Sequence, residues 1–243
     1  MSTFLQSAAP TGERRHAESA YPGGRLLSNG RYSVLLTRAG TGVSRWRDHA
    51  LTRWTADRIE DRRGLVIWLR EPATGAFASL GLAPAGRGAE RYETAWQPGV
   101  FTLARAERGL ETRMDVWVDP GLDAELRRVR ITNRSPHARR LEVTSAAEVV
   151  LHHAAADAAH PAFSKLFVQT EYHAGHRALI ARRRPRGPEE SHPVLVHALL
   201  EPGETACESD RLRFVGMCYY AIHFYLKLML CRRDFKGVLA FRR

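Results

Sequence analysis

The chain has 243 residues, 44% hydrophobic and 26% charged, with 37 Lys and Arg against 26 Asp and Glu for a net charge of +11. This is the composition of a globular chain long enough to bury a sizeable core, and it excludes a disordered or fibrous polymer. The charge does not read as a nucleic-acid or membrane footprint, because residues 217–243 alone carry +5 and the remaining +6 is spread over 216 residues.

In chain order, residues 1–20 are small and polar and read as a lead-in or linker; Met1–Gly12 shows no secretory leader. Strand-like material runs from about Leu26 to Phe214, with early strands expected at Tyr32–Arg38, Gly64–Arg70 and Gly99–Glu107. The clearest is Leu110–Val118. Leu110, Thr112, Met114, Val116 and Val118 alternate with Glu111, Arg113, Asp115 and Trp117, the period of a half-buried antiparallel strand. Asp119-Pro120-Gly121 ends it with turn chemistry. In the next strand, Ala124–Asn133, the apolar positions change parity between Leu126 and Val129, which suggests a bulge or register change. Asn133-Arg134-Ser135-Pro136 then turns the chain into Ala138–Leu151, completing a meander. A single helical turn is expected at Ala154–Ala159 before His160-Pro161, and strands at Lys165–His173, Ala178–Ala181 and Pro193–Leu200. Many short strands with Gly and Pro turns, and no long helical period, predict an all-β antiparallel sandwich with little helix.

The tail differs in composition. Residues 217–243 hold two of the three cysteines, two of the three lysines and three of the seven tyrosines. The break predicts that the natural reading ends near Gly216 and that the rest is frame-shifted or foreign. Met217–Cys231 is apolar, but at 15 residues with His223 and Lys227 inside it is too short to span a membrane as a helix. Cys207, Cys218 and Cys231 form neither a disulfide framework nor a CxxC metal motif, which fits a reducing, cytoplasmic setting.

Gly40-Thr41-Gly42-Val43-Ser44-Arg45-Trp46-Arg47-Asp48 is the best candidate site. Arg45 and Arg47 offer planar donor forks and Trp46 a flat apolar face, a combination suited to the hydroxyl edges and apolar faces of sugars. The plain alternative is a loop whose tryptophan packs on the sandwich; Trp54 reads as core or interface. His152, His153, Asp157 and His160 invite a metal reading, but adjacent His152 and His153 would point to opposite faces of a strand, so no metal site is assigned. Asp48, Asp57, Glu60 and Asp61 sit among Arg47, Arg53, Arg58, Arg62 and Arg63 and read as surface ion pairs rather than a glycosidic acid/base pair. Gly86-Arg87-Gly88 is too short to cradle a phosphate, and Arg182-Arg183-Arg184-Pro185-Arg186 reads as a solvated loop because no aromatic platform adjoins it and Glu189-Glu190 follow. No catalytic residue and no cofactor is assigned.

Leu26–Ser33, Gly40–Asp48, Leu51–Trp54, Leu110–Arg113, Glu148–Leu151 and Ala156–Val168, in that order and spacing, resemble the N-terminal sandwich domain of glycoside hydrolase family 94, formerly glycosyltransferase family 36, in its cyclic β-1,2-glucan synthase type. The resemblance covers about residues 21–216. It implies a mutarotase-like super-sandwich, normally followed by a linker and an (α/α)6 barrel that carries the general acid and the phosphate site. Nothing after Gly216 matches that barrel. The resemblance therefore implies a non-catalytic carbohydrate-binding and scaffold domain, a fragment of a β-1,2-glucan-processing phosphorylase or synthase. Its expected partners are a β-glucan or gluco-oligosaccharide, the missing barrel and a second copy of itself. A full-length parent tethered to the inner membrane is compatible with this reading. The rivals are a mutarotase-like sugar enzyme, which needs a histidine and a carboxylate to converge (His160 with Glu148 or Asp157), and a basic interaction module.

Overall fold

The computed structural model describes residues 23–55, 64–85, 88–190, 192–200, 204–209, 222–230 and 235–242; of the last two segments the backbone is described. The lead-in, Asp57, Arg58, Glu60–Arg63, Gly86, Arg87, Cys218 and Cys231 lie outside the described residues.

Every strand pairing among the described residues is antiparallel. Strands β1 (Gly24–Ser28), β2 (Tyr32–Thr37), β3 (Gly42–Trp46), β4 (His49–Thr52) and, far along the chain, β12 (Val149–His153) form a five-stranded sheet in the order 1-2-3-4-12. A second five-stranded sheet has the order 16-17-11-5-6. It is built from β5 (Val66–Glu71), β6 (Ala76–Ser79), β11 (Arg139–Ala147), β16 (Glu204–Glu208) and β17 (Ile222–Leu230). The largest sheet has eight strands in the order 13-14-15-18-10-9-8-7. These are β7 (Arg91–Gln97), β8 (Val100–Glu107), β9 (Leu110–Val118), β10 (Ala124–Asn133), β13 (Val168–His173), β14 (Ala178–Arg183), β15 (Leu195–Leu199) and β18 (Phe235–Arg242). The only α-helices among the described residues are short: α1 (Ala154–Ala159) and α2 (Pro161–Lys165). The expected strand start at Lys165 is therefore taken by a helix, which Pro161 opens from a position where its missing N–H is harmless.

One core joins the sheets. Val34, Leu36, Ile67, Phe101, Leu103, Met114, Val116, Ile131, Leu141 and Leu151 belong to a single buried cluster with members from all three. Burying such side chains is worth about 1.5–3 kcal/mol each, offset by the entropy of ordering them. The inward face of β9 follows the alternation of its sequence, with Thr112, Met114 and Val116 buried. Asp115, on the opposite face, is buried as well, because Thr102, Arg113 and Arg128 close over its carboxylate.

The parity change in β10 has a cause other than a bulge. Its pairings with β9 and β18 run without a register shift. Glu125, Arg127, Val129 and Ile131 all face inward, so two core-facing positions hold an ion pair instead of apolar side chains. Arg127 Nε donates to Glu125 at 2.5 Å and its Nη1 to the Leu65 carbonyl at 2.9 Å. Ser44 Oγ of β3 donates to the other carboxylate oxygen at 2.6 Å, and Tyr32 of β2 approaches the same oxygen. Glu125 and Arg127 are 0% and 2% exposed. Nearby, the imidazole of His197 in β15 meets Ser145 Oγ of β11 at 2.9 Å, and burial pushes its pKa down to about 3.

The glycines around β3 serve close chain approach. Gly42 has φ 156°, and a Cβ there would fall 1.8 Å from the Leu35 carbonyl oxygen. The strands formed by 222–230 and 235–242 take interior places, β17 between β16 and β11 and β18 between β15 and β10.

Two outcomes follow. Arg127→Leu strands a buried carboxylate and lowers unfolding free energy by about 3–5 kcal/mol in urea titration, while Glu125→Leu combined with Arg127→Met is milder. A chain ending at Gly216 lacks both interior strands, exposes unpaired edges on β10, β11, β15 and β16, and elutes as aggregate in light-scattering chromatography.

Candidate functional site

The segment Gly40–Asp48 forms most of a tight hairpin rather than a loop: β3 and β4 pair with Trp46 opposite His49, leaving Arg47-Asp48 as the turn. Arg47 sits at φ 52°, a conformation that favours Gly or Asn and costs an ordinary side chain about 1–2 kcal/mol. Its amide donates to the Arg31 carbonyl at 2.7 Å, which fixes the turn against the β1–β2 connection.

Arg45 and Arg47 are exposed and Trp46 is half-buried. The indole N–H of Trp46 donates to Asp123 at 2.8 Å, and Asp123 also takes a 2.8 Å bond from Arg31 Nε. The Arg47 guanidinium lies 4.7 Å from the Trp46 ring centre, and the ring also packs against the core. The structure thus brings Trp46 and Arg47 together as a stacked pair. Trp54 is half-buried.

Beside the hairpin lies a group that the sequence did not reveal. His49 stacks on His153 with ring centres 4.7 Å apart; His152 meets His192 edge-to-face at 5.3 Å, His49 meets His192 at 5.9 Å, and His152 lies 5.7 Å from His153. Asp48 bonds His49 at 2.9 Å and lies 3.5 Å from His153. His152 and His153 do not diverge as an ideal strand requires. The pairing of β12 with β4 shifts register between Val149 and His152, and Leu151 has φ 55° at that irregularity. The rings meet by face and edge, and among the described residues no group of three or more His, Cys, Asp or Glu side chains is arranged to hold a metal ion.

Behind the histidines an ion-pair clamp fixes both helices. Arg53, at the end of β4, donates to both Asp157 oxygens, at 2.7 and 2.5 Å, and to Glu148 at 2.9 Å. Lys165 also pairs with Glu148. Although burial opposes ionisation of Asp157, the Arg53 and Ser164 bonds hold its pKa below the usual carboxylate range. Asp157 is thus a structural anchor, and Arg53 is no surface residue, being 6% exposed. His160, the histidine proposed for a sugar enzyme, is exposed between the helices. Arg182–Arg186 divides: Arg183 is buried and donates to Ser164, while Arg183, Arg184 and Arg186 all lie 5–6 Å from the Phe167 ring. An aromatic face therefore does adjoin this basic run, supplied from outside it. A separate shallow cleft lined by Leu69, Phe77 and Leu141 has its charges paired as Arg105–Glu107 and Arg139–Glu71. Among the described residues no helix is long and apolar enough to cross a membrane.

These features define an antiparallel β super-sandwich with almost no helix. The family description that matches residues 12–221 is "Glycosyl hydrolase 94, supersandwich domain", and the chain belongs to that family. Among curated proteins, cyclic beta-(1,2)-glucan synthase NdvB of Rhizobium meliloti (strain 1021) is 36% identical over 195 residues, which is 79% of this chain and 7% of that protein. Two solved structures share the fold at 8% identity. One is a candidate aldose 1-epimerase from Escherichia coli K12 (TM-score 0.53, 90% of this chain and 98% of that one). The other is a bacterial glucoamylase complexed with acarbose (TM-score 0.55, 96% of this chain and 34% of that one).

Replacing Arg53 by Lys keeps the charge but loses the two-pronged grip on Asp157. The expected outcome is a loss of about 1–3 kcal/mol in denaturant unfolding and faster amide exchange in 154–165, with 110–118 unchanged.

Proposed function

We propose that this chain is a non-catalytic, carbohydrate-binding scaffold domain of an enzyme that processes β-1,2-glucan, with the β3–β4 hairpin tip as its sugar contact. The observation that carries the reading is the 36% identity with a cyclic β-(1,2)-glucan synthase over 79% of the chain. The chain spans only 7% of that relative's length.

The chemistry of the tip supports the sugar contact. A pyranose presents an apolar face and a rim of hydroxyls. Trp46 supplies a ring whose orientation is set by its bond to Asp123, and Arg45 and Arg47 supply exposed donors on either side. Strain at Arg47 is the kind of backbone feature that persists where a side chain must be presented in one direction. The exposed Phe163 of α2 and Leu166 at its C-terminal cap, 52% and 70% accessible, suit a face that packs against a catalytic (α/α)6 partner.

A second reading has one observation in its favour. The His49–Asp48 pair, 2.9 Å apart at an exposed tip, is a histidine and a carboxylate within proton-transfer reach, as a mutarotase-like enzyme requires.

Calorimetric titration with linear β-1,2-gluco-oligosaccharides, with phosphorolysis and mutarotation assays on the same protein, tests both. Saturable binding without turnover is expected. Arg45→Ala with Arg47→Ala weakens it about tenfold or more, the worth of one or two charged hydrogen bonds, while the thermal midpoint stays put. No heat with any β-1,2-glucan overturns the sugar contact. Mutarotation abolished by Asp48→Asn establishes the second reading in its place.

A further inference from the structure

The four-histidine group is not used by the sugar contact proposed for the hairpin tip. Its members come from three separate places: His49 from β4, His152 and His153 from β12, and His192 from the connection between β14 and β15. Imidazoles meeting by face and edge pack well when neutral and repel when protonated. The side chain of His192 is 4% exposed, and Nδ1 of both His192 and His152 is buried without a hydrogen-bond partner. A buried, unpaired ring nitrogen is a defect that a purely structural site would be expected to avoid.

The surrounding charges are unequal. Asp48 faces His49 and His153, and Glu190 faces His192 at 3.5 Å and also serves Arg186. Arg183 from β14 and Arg186 from the connection act on His152, and Arg183 acts on His192. Protonating His152 and His192 therefore adds positive charge beside two guanidinium ions, with Glu190 the carboxylate that faces His192.

We propose that His49, His152, His153 and His192 form a proton-operated latch. At neutral pH it holds the connection carrying Glu190 and His192 against the β3–β4 hairpin and β12, and on acidification it releases that connection. The hairpin tip with Arg45–Arg47 is the neighbour uncovered or loosened by release, so its mobility follows pH whether or not it binds a sugar.

The direction follows from the surroundings. Burial is the largest influence on His152, with Arg183 next, and both lower its pKa; burial likewise lowers that of His192, against the opposing pull of Glu190. A group whose pKa is depressed by folding contributes its full stability above its unfolded value of about 6.5 and loses it as pH falls toward the folded value. The latch is therefore closed at pH 7.5 and weakens through the mildly acidic range.

Two measurements on the full chain test this. In the first, histidine Cε1–H resonances are followed against pH, with assignments from His152→Gln and His192→Gln. Both residues are expected to titrate below the ordinary imidazole value. In the second, amide exchange corrected for intrinsic rate is compared at pH 7.5 and 5.5. Protection around residues 184–190 and in 45–49 falls at least about threefold at pH 5.5, while 110–118 keeps its protection. In the double Gln variant the pH-driven loss shrinks by about half or more. Ordinary titration of both histidines, or equal protection at the two pH values, overturns the proposal. If the double variant does not fold, the wild-type titration and exchange decide the matter alone.

Discussion

The buried pair of Glu125 and Arg127 is the constraint around which the sheets are arranged. A carboxylate with no exposed surface must have every lone pair answered, and here the answers come from different layers: Arg127 on the same strand, and Ser44 and Tyr32 on the opposite sheet. The Arg127 guanidinium in turn reaches the Leu65 carbonyl, at the entrance to β5 in the third sheet. Hydrophobic burial would tolerate sliding of one sheet over another by a residue or two. A charged centre with fixed partners does not, because any slide leaves an ion unpaired in a dry interior. Apolar packing supplies the bulk of the stability, and this pair sets the alignment.

The alignment also places the β3–β4 hairpin. Ser44 is one residue before Arg45, so the bond that closes around Glu125 also anchors the strand that leads into the hairpin tip. At the outer end of the same hairpin, Asp123 holds both Arg31 and the Trp46 indole. Asp123 lies two residues before Glu125. One short stretch of chain therefore grips the hairpin at its base through Glu125 and near its tip through Asp123. The tip is thus held at its aromatic ring while its two arginines stay exposed.

Strands β9 and β10 were legible in the sequence, but Ala138–Leu151, expected to complete a meander with them, divides into β11 and β12, which join two other sheets, and the polar interior was not legible. Alternation gave both ends of β9, and turn residues gave both ends of β10. The parity break in β10 was visible but was read as a bulge, because an inward ion pair and an extra residue disturb an apolar pattern in the same way. The real irregularity, at Leu151, left no mark, since a leucine in a left-handed conformation looks like any strand leucine. Gly40–Asp48 looked like a loop because Gly42 and two arginines dilute the strand signal. In fact Gly42 is needed where a Cβ would collide with the neighbouring backbone. Arg45, Trp46 and Arg47 were found as a group from side-chain chemistry alone, but the covering of Trp46 by Arg47 could not be read from spacing. The histidine group was beyond reach, since His49 lies 103 residues before His152 and His192 lies 39 residues after His153, and they meet only through tertiary structure.

The interior position of the last two strands bears on how the chain acquires its shape during synthesis. Residue 124 pairs with residue 242, and residue 139 with residue 230, so neither sheet can be finished from the material that emerges first. Pairing over such separations is slow, and until it happens the earlier strands wait with open edges. Assembly of this molecule is therefore a closing event, with a delay during which the unfinished seams of the nascent polypeptide stand open.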